Sequence, residues 1–213
     1  ALREWQPLAA QGNARAQRVL AIMHKDGKGV PQDYAEAVKW YRKSATQGFD
    51  EAQFGLGWMY DPGVGPFKDA VEAEHWYRLA AEQGHLMAMN NLAFMWAESS
   101  KNLDEAEKFS RAIIEKEPNN ANWLGTLGWV LHKKGNHIAA VEMLERAFAL
   151  SPNNSEFRSQ LGIALLGAED INKSTRAVES ARALSFPASQ RQYAHELEEP
   201  TRHSNREKYL LQK

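Results

Sequence analysis

Residues 16–48 read AQRVLAIMHKDGKGVPQDYAEAVKWYRKSATQG, and residues 52–84 restate them as AQFGLGWMYDPGVGPFKDAVEAEHWYRLAAEQG. Gln11-Gly12, Gln47-Gly48 and Gln83-Gly84 recur at an interval of 36 residues (48 − 12 and 84 − 48). The same shift carries Ala16 to Ala52 and Ala88, Leu20 to Leu56 and Leu92, and Met23 to Met59 and Met95. Ala37, Trp40, Tyr41 and Ala45 likewise map onto Ala73, Trp76, Tyr77 and Ala81. A gapless period of this length is the mark of stacked supersecondary units, none of which can bury its apolar face alone.

Each unit reads as two antiparallel helices. Ala16, Leu20 and Met23 follow the i, i+4, i+7 spacing of one helical face. Gly27 and Gly29 interrupt it, and Asp33 stands where a carboxylate can accept from the free amides of the next helix. Ala37, Trp40, Tyr41 and Ala45 form the second apolar stripe. Gly48 is placed to end that helix in the left-handed conformation. The alanines allow close approach of neighbouring helices, and the tryptophans fill the space between them.

The string Ala16-Gln17, Leu20, Gly27-x-Gly29-Val30, Asp33, Ala37, Trp40-Tyr41, Ala45 and Gln47-Gly48 resembles a Sel1-like repeat, and the second unit does so too. There the loop Asp61-Pro62-Gly63-Val64-Gly65-Pro66 departs from the usual wording. The third unit starts in register with Ala88, Leu92 and Met95, then shortens, and its loop at 98–102 lacks both glycines. From there the period is 34: Pro118-Asn119-Asn120 returns as Pro152-Asn153-Asn154, Leu127-Gly128 as Leu161-Gly162, and Ala147 as Ala181. Leu127, Gly128, Gly135, Ala140, Leu144, Ala147 and Pro152 resemble the tetratricopeptide pattern. The two resemblances imply an all-α fold, a right-handed α-solenoid (superhelix) of stacked antiparallel helix pairs. The expected organisation is a single solenoid over 1–199. It comprises the second helix of a truncated repeat (1–12), Sel1-like repeats (13–48 and 49–84), a hybrid repeat (85–118), tetratricopeptide repeats (119–152 and 153–186) and a capping helix (187–199). A C-terminal tail (200–213) follows. Since Ala1 falls mid-repeat, the natural chain is expected to extend upstream.

The apolar fraction of 43% and charged fraction of 25% are those of an ordinary globular protein. A net charge of −1 gives no general attraction to nucleic acid, so none is expected as a partner. No apolar run is long enough to span a bilayer. With no cysteine, disulfides and thiolate metal sites are excluded. The seven histidines form no HExxH or other zinc spacing. Gly27-Lys28-Gly29 and Gly63-Val64-Gly65 recur where helix pairs turn and lack the context of phosphate loops. Carboxylates sit beside cations, as in Glu36/Lys39 and Glu142/Arg146, the pattern of solvated ion pairs. No catalytic residue, metal or cofactor is therefore expected, and the chain is read as non-enzymatic.

In stacked helix pairs the first helices line the concave surface. Two residues beyond each repeat leucine stand Ile22, Trp58, Phe94, Trp129 and Ile163, which in a regular superhelix form an apolar ridge. Trp58 and Trp129 are expected to be exposed in the groove, while for Ile22 and Ile163 exposure and packing stay open. Asn90, Asn91 and Asn122 flank the ridge with amides able to pair with a peptide backbone, and His132 and Lys133 add donors and positive charge. Asn91 fits a position of the tetratricopeptide domains that clamp a C-terminal carboxylate, but the rest of that set is missing. The resemblance implies a protein- or peptide-binding scaffold. The alternative is a glycan-binding accessory protein of a bacterial envelope or polysaccharide pathway, since tryptophan faces with nearby asparagines suit sugar rings. The wording of the repeats is closest to that of bacterial members of the family, which implies the periplasm or secretion, with the cytoplasm as the alternative. Partner identity and oligomeric state are not specified by any of these features.

Overall fold

Asparagine or aspartate caps start half of the ten described helices. Asn13, Asp33, Asp69, Asn120 and Asn154 each accept from a backbone amide in the first turn of the helix that follows, as in Glu36 N to Asp33 Oδ1 at 2.9 Å. Gly12, Gly48 and Gly84 close their helices with φ of 93°, 86° and 84°, the left-handed conformation expected at Gly48. In this computed structural model residues 2–168 are described, and they form α1 (Leu2–Ala10), α2 (Ala14–Asp26), α3 (Tyr34–Ala45), α4 (Asp50–Tyr60), α5 (Ala70–Glu82), α6 (Leu86–Glu98), α7 (Leu103–Lys116), α8 (Ala121–Lys133), α9 (His137–Leu150) and α10 (Ser155–Gly167). Most of the second tetratricopeptide repeat, the capping helix at 187–199 and the tail at 200–213 lie outside the described residues. The described residues are all-α, as the repeats imply.

The helices group into two compact units, Ala1–Leu92 and Ala93–Lys213, with the boundary inside α6. Within the first unit α1 packs on α2, α2 pairs with α3, α3 packs on α4, and α4 pairs with α5. In the second, α7 packs on α8, α8 pairs with α9, and α10 packs on both α9 and α8. Each unit is thus a stack of neighbouring helix hairpins, the solenoid arrangement.

The repeated residues are the core. Ala16, Ala37, Ala52, Ala73 and Ala88 have no exposed surface, and Leu20, Leu56 and Leu92 are buried beside them. Rings lie directly on helix backbone: a Cβ built on Gly55 would stand 2.5 Å from Tyr41, and one on Gly57 would stand 2.6 Å from Tyr77. In the second unit Phe157 occupies the place of a Cβ on Gly125, and Leu144 approaches Gly128 in the same way (2.6 Å). The Gln-Gly signature has a structural reason as well. Gln47 Nε2 donates to Gln17 Oε1 (2.8 Å) and Gln83 Nε2 to Gln53 Oε1 (2.7 Å), while Gln17 and Gln53 donate to the carbonyls of Ala9 and Ala45. Each buried glutamine therefore ties one helix pair to the next with both ends of its amide satisfied.

Where the loop glycines are missing, Ser100 and Asn102 take φ of 51° and 47°. Asparagine tolerates the left-handed region, but serine adopts it at a cost. Replacing Ser100 with glycine is expected to stabilise the protein by about 0.5–1 kcal/mol, read by urea denaturation. Gly57→Ala is expected to destabilise it by roughly 1–3 kcal/mol, because the Tyr77 ring must shift within a packed core; an unchanged midpoint would mean that the ring contact is not tight.

Candidate binding faces

In the first unit α2 and α4 are the first helices of successive pairs. Arg18 bridges to Glu51 at 2.9 Å across these helices, a partly exposed pair that contributes little to stability. Further along the same helices, Ile22 and Trp58 are half-buried and packed against the core cluster. The Lys25 ammonium lies 5.1 Å from the Trp58 ring centroid, a cation–π contact on a ring that still reaches solvent. Asn90 and Asn91, on α6, are half-buried. Asn90 Oδ1 is buried and receives no hydrogen bond. Asn91 is engaged in the fold: its Nδ2 donates to the Tyr77 hydroxyl (3.1 Å), which donates to Asp61 Oδ2 (3.0 Å). Burial pushes the Tyr77 phenol well above its ordinary value, so it stays a neutral donor. His24, at the position of Tyr60, is half-buried among packing residues.

The opposite face of this unit carries a different set of contacts. Arg42 bonds the Tyr60 hydroxyl (3.1 Å), pairs with Glu72 (3.5 Å) and lies 5.6 Å from the Trp76 ring, whose Nε1 donates to Glu72 (2.7 Å). Every partner there is internal, so the cluster serves to join α3 to α5. Lys39 pairs with Glu36 as expected (2.8 Å). In the second unit Arg146 reaches the Pro118 carbonyl at 3.3 Å.

The second unit changes the reading of Trp129. It was expected to be exposed, yet its side chain is fully buried at 0%. Its indole Nε1 donates to Glu98 Oε1 at 2.6 Å, His132 stacks on the ring (centroids 5.0 Å apart, 9° between planes), and the Lys133 ammonium lies 4.5 Å from its centroid. A buried indole N–H needs such an acceptor, and Glu98 supplies it. Ile163 is buried too, so of its two open readings the structure shows packing. Phe94 is half-buried, and Asn122 is exposed on the first turn of α8. The ridge residues therefore differ: Ile22, Trp58 and Phe94 keep partial access, and Trp129 and Ile163 do not.

Two groups of side chains were not anticipated. His132 and His137 meet at 3.1 Å between their Nδ1 atoms. Burial, with His137 and Lys133 nearby, pushes the His132 imidazole down to about 4, so it is neutral at physiological pH. On α10, Glu156 accepts from Gln160 Nε2 (3.3 Å), and Gln160 Oε1 is buried with no donor. A shift of 34 from Asn122 lands on Glu156, so its place on the first-helix face could have been found; the burial of Gln160 had no sequence signal. Among the described residues no group of three or more histidines, aspartates or glutamates could hold a metal ion, and no helix is long and apolar enough to cross a membrane.

A Sel1 repeat family model matches residues 14–49 and 50–85, and a tetratricopeptide repeat model matches residues 124–154. No curated protein matches the chain. Among solved structures it is similar to c5321, a protective antigen of uropathogenic Escherichia coli with an SLR fold, at 28% identity and a TM-score of 0.64 over 89% of this chain. The chain spans 42% of that protein's length. A Sel1 repeat protein from Oxalobacter formigenes is similar at 26% identity and a TM-score of 0.58, over 86% of this chain and 78% of the other. MamA from Desulfovibrio magneticus RS-1, at 16% identity and a TM-score of 0.63 over 80% of this chain and 94% of its own, shares the fold. Repeat folds of these kinds generally serve as protein-interaction scaffolds and are typically non-catalytic.

The His132 environment has a consequence for stability. Its folded value is depressed below the ordinary 6.5, so its contribution is fully present above pH 6.5 and is lost as the pH falls toward about 4. The loss is expected to be on the order of 2–3 kcal/mol. Denaturation curves at pH 7.5 and 4.5 should show it, and His132→Gln should flatten the difference.

Proposed function

We propose that this chain, built of Sel1 repeats running into a tetratricopeptide repeat, is a non-catalytic scaffold that binds a protein or peptide on the face formed by its first helices. The observation that carries this reading is Trp58: a half-exposed indole on the open side of α4, with Ile22 on the neighbouring helix and the Lys25 ammonium against its ring. Aromatic rings of this kind offer a large contact area with few rotors to immobilise, and they are enriched among the residues that dominate binding energy. The lysine beside it adds a donor for a carboxylate or a backbone carbonyl.

The test is partner capture with the full chain, read by mass spectrometry, for the unmodified protein and for Trp58→Ala and Trp58→Phe. Trp58→Ala is expected to weaken captured partners at least about tenfold while helical circular dichroism is retained, with Trp58→Phe intermediate. If a folded Trp58→Ala protein captures the same partners as strongly, the reading fails. Titration of oligosaccharides against tryptophan fluorescence separates the glycan alternative: a saturable change there, with no captured protein, would replace the scaffold reading.

A further inference from the structure

Two imidazoles of the second unit share one hydrogen bond. His132, in the last turn of α8, and His137, the first residue of α9, are both half-buried, and their Nδ1 atoms stand 3.1 Å apart. A contact of that length needs one nitrogen to carry the proton and the other to accept it. Two neutral rings can meet in this way, and so can one neutral and one charged ring. Two charged rings cannot, because each then presents an N–H to the other.

The surroundings determine which ring such a conflict would move. His132 stacks on Trp129 (centroids 5.0 Å apart, 9° between planes), and an indole face attracts a cation. His137 rests on backbone instead: a Cβ built on Gly167, the last residue of α10, would stand 2.6 Å from its Nδ1. His137 therefore joins three helices, since it begins α9, meets α8 through His132 and covers the end of α10. The charged groups that act on His132 are His137 and Lys133, and both oppose a proton there. Lys134 is paired with Asp104 and Glu107 of α7, and Glu98 of α6 accepts from the Trp129 indole. The first turn of α9 has no acidic residue, and Ala164 to Gly167 at the end of α10 are uncharged.

We propose that the His132–His137 contact is an acid-sensitive latch: when both rings are charged they part, His137 leaves its seat on Gly167, and the joint between the α8–α9 turn and the end of α10 opens. Burial, with His137 and Lys133 nearby, brings His132 down to about 4, so the doubly charged pair forms only in acid and the latch is closed at neutral pH. The opening is local. Leu161, Ala164 and Leu165 hold the body of α10 in a core shared with Leu131 and Leu144. The inference stands apart from the scaffold reading and needs no partner.

The experiment is NMR of the isotopically labelled full chain, followed from pH 6.5 to about pH 3.5. The imidazole signals report when each ring becomes charged. Nuclear Overhauser contacts report where the rings are. The contact between the His137 ring and the Gly167 α-protons is expected at pH 6.5 and should vanish once both rings are charged, while the contact between His132 and Trp129 remains. The amides of Gly135 and Asn136, which bond the His132 and Leu131 carbonyls at 2.9 Å, should shift with the same step. In His137→Asn the amide oxygen takes the place of Nδ1 and can accept from a charged His132, so the acid shift of those two amides should be lost. Gly167→Ala places a methyl group where the ring sits, so it should weaken the His132–His137 contact already at pH 6.5 and move the His132 titration to higher pH. Circular dichroism verifies that each variant is folded, and His137→Asn is sufficient where Gly167→Ala is not. The proposal is overturned if the His137–Gly167 contact survives with both rings charged, if the amide shifts persist in His137→Asn, or if native signals disappear throughout the chain in the same step.

Discussion

Helix pairs in this chain approach one another to the point where an aromatic ring rests on bare backbone. Tyr41 covers Gly55 and Tyr77 covers Gly57 in the first unit, and Phe157 covers Gly125 in the second. At that separation only alanine or glycine fits along the facing stripes, which is why Ala16, Ala37, Ala52, Ala73 and Ala88 are completely buried. The contact also fixes register, since a ring set into a gap in the side-chain layer cannot slide by one residue without striking a Cβ. The buried glutamine pairs Gln47–Gln17 and Gln83–Gln53 reinforce the same spacing with hydrogen bonds whose length tolerates little adjustment.

This close packing occupies the inward sides of the described helices. Elsewhere the two units differ. In the first, the open side of α4 carries an indole with a lysine against it, a surface suited to apolar contact flanked by a donor. In the second, the corresponding tryptophan is withdrawn into the fold, and its N–H orients a glutamate. A repeated backbone thus presents two unlike faces because one side chain, placed two residues beyond the repeat leucine, is solvated in one unit and satisfied internally in the other.

The change of period is located in the same region. Four residues, Ser99 to Asn102, connect α6 to α7 without a glycine, and Ser100 and Asn102 absorb the reversal in left-handed conformations. The shorter turn brings Glu98 directly before it, at the end of α6, where its carboxylate meets Trp129 of α8. The strained connection and the glutamate that receives the Trp129 indole are therefore neighbours in sequence.

The fold was legible in the chain because the constraint behind it is periodic. Spacings of 36 and 34, Asp33 at a cap position and Gly48 at a helix end each report a local requirement of backbone or packing, and the helices, caps and left-handed glycines stand where those residues placed them. Exposure of individual side chains was not legible in the same way. Trp58 and Trp129 occupy the same repeat position, and only the arrangement of α6 and α8 decides that the second finds Glu98 and His132 and is buried while the first is half-buried beside Lys25. The contact between Glu98 and Trp129 was hidden for a related reason: the two are 31 residues apart (129 − 98) and share no motif. Periodic burial is a property of one helix and its neighbour, so sequence determines it. Convergence of polar groups from separate helices depends on the distances between those helices, and these exist only once the chain has folded.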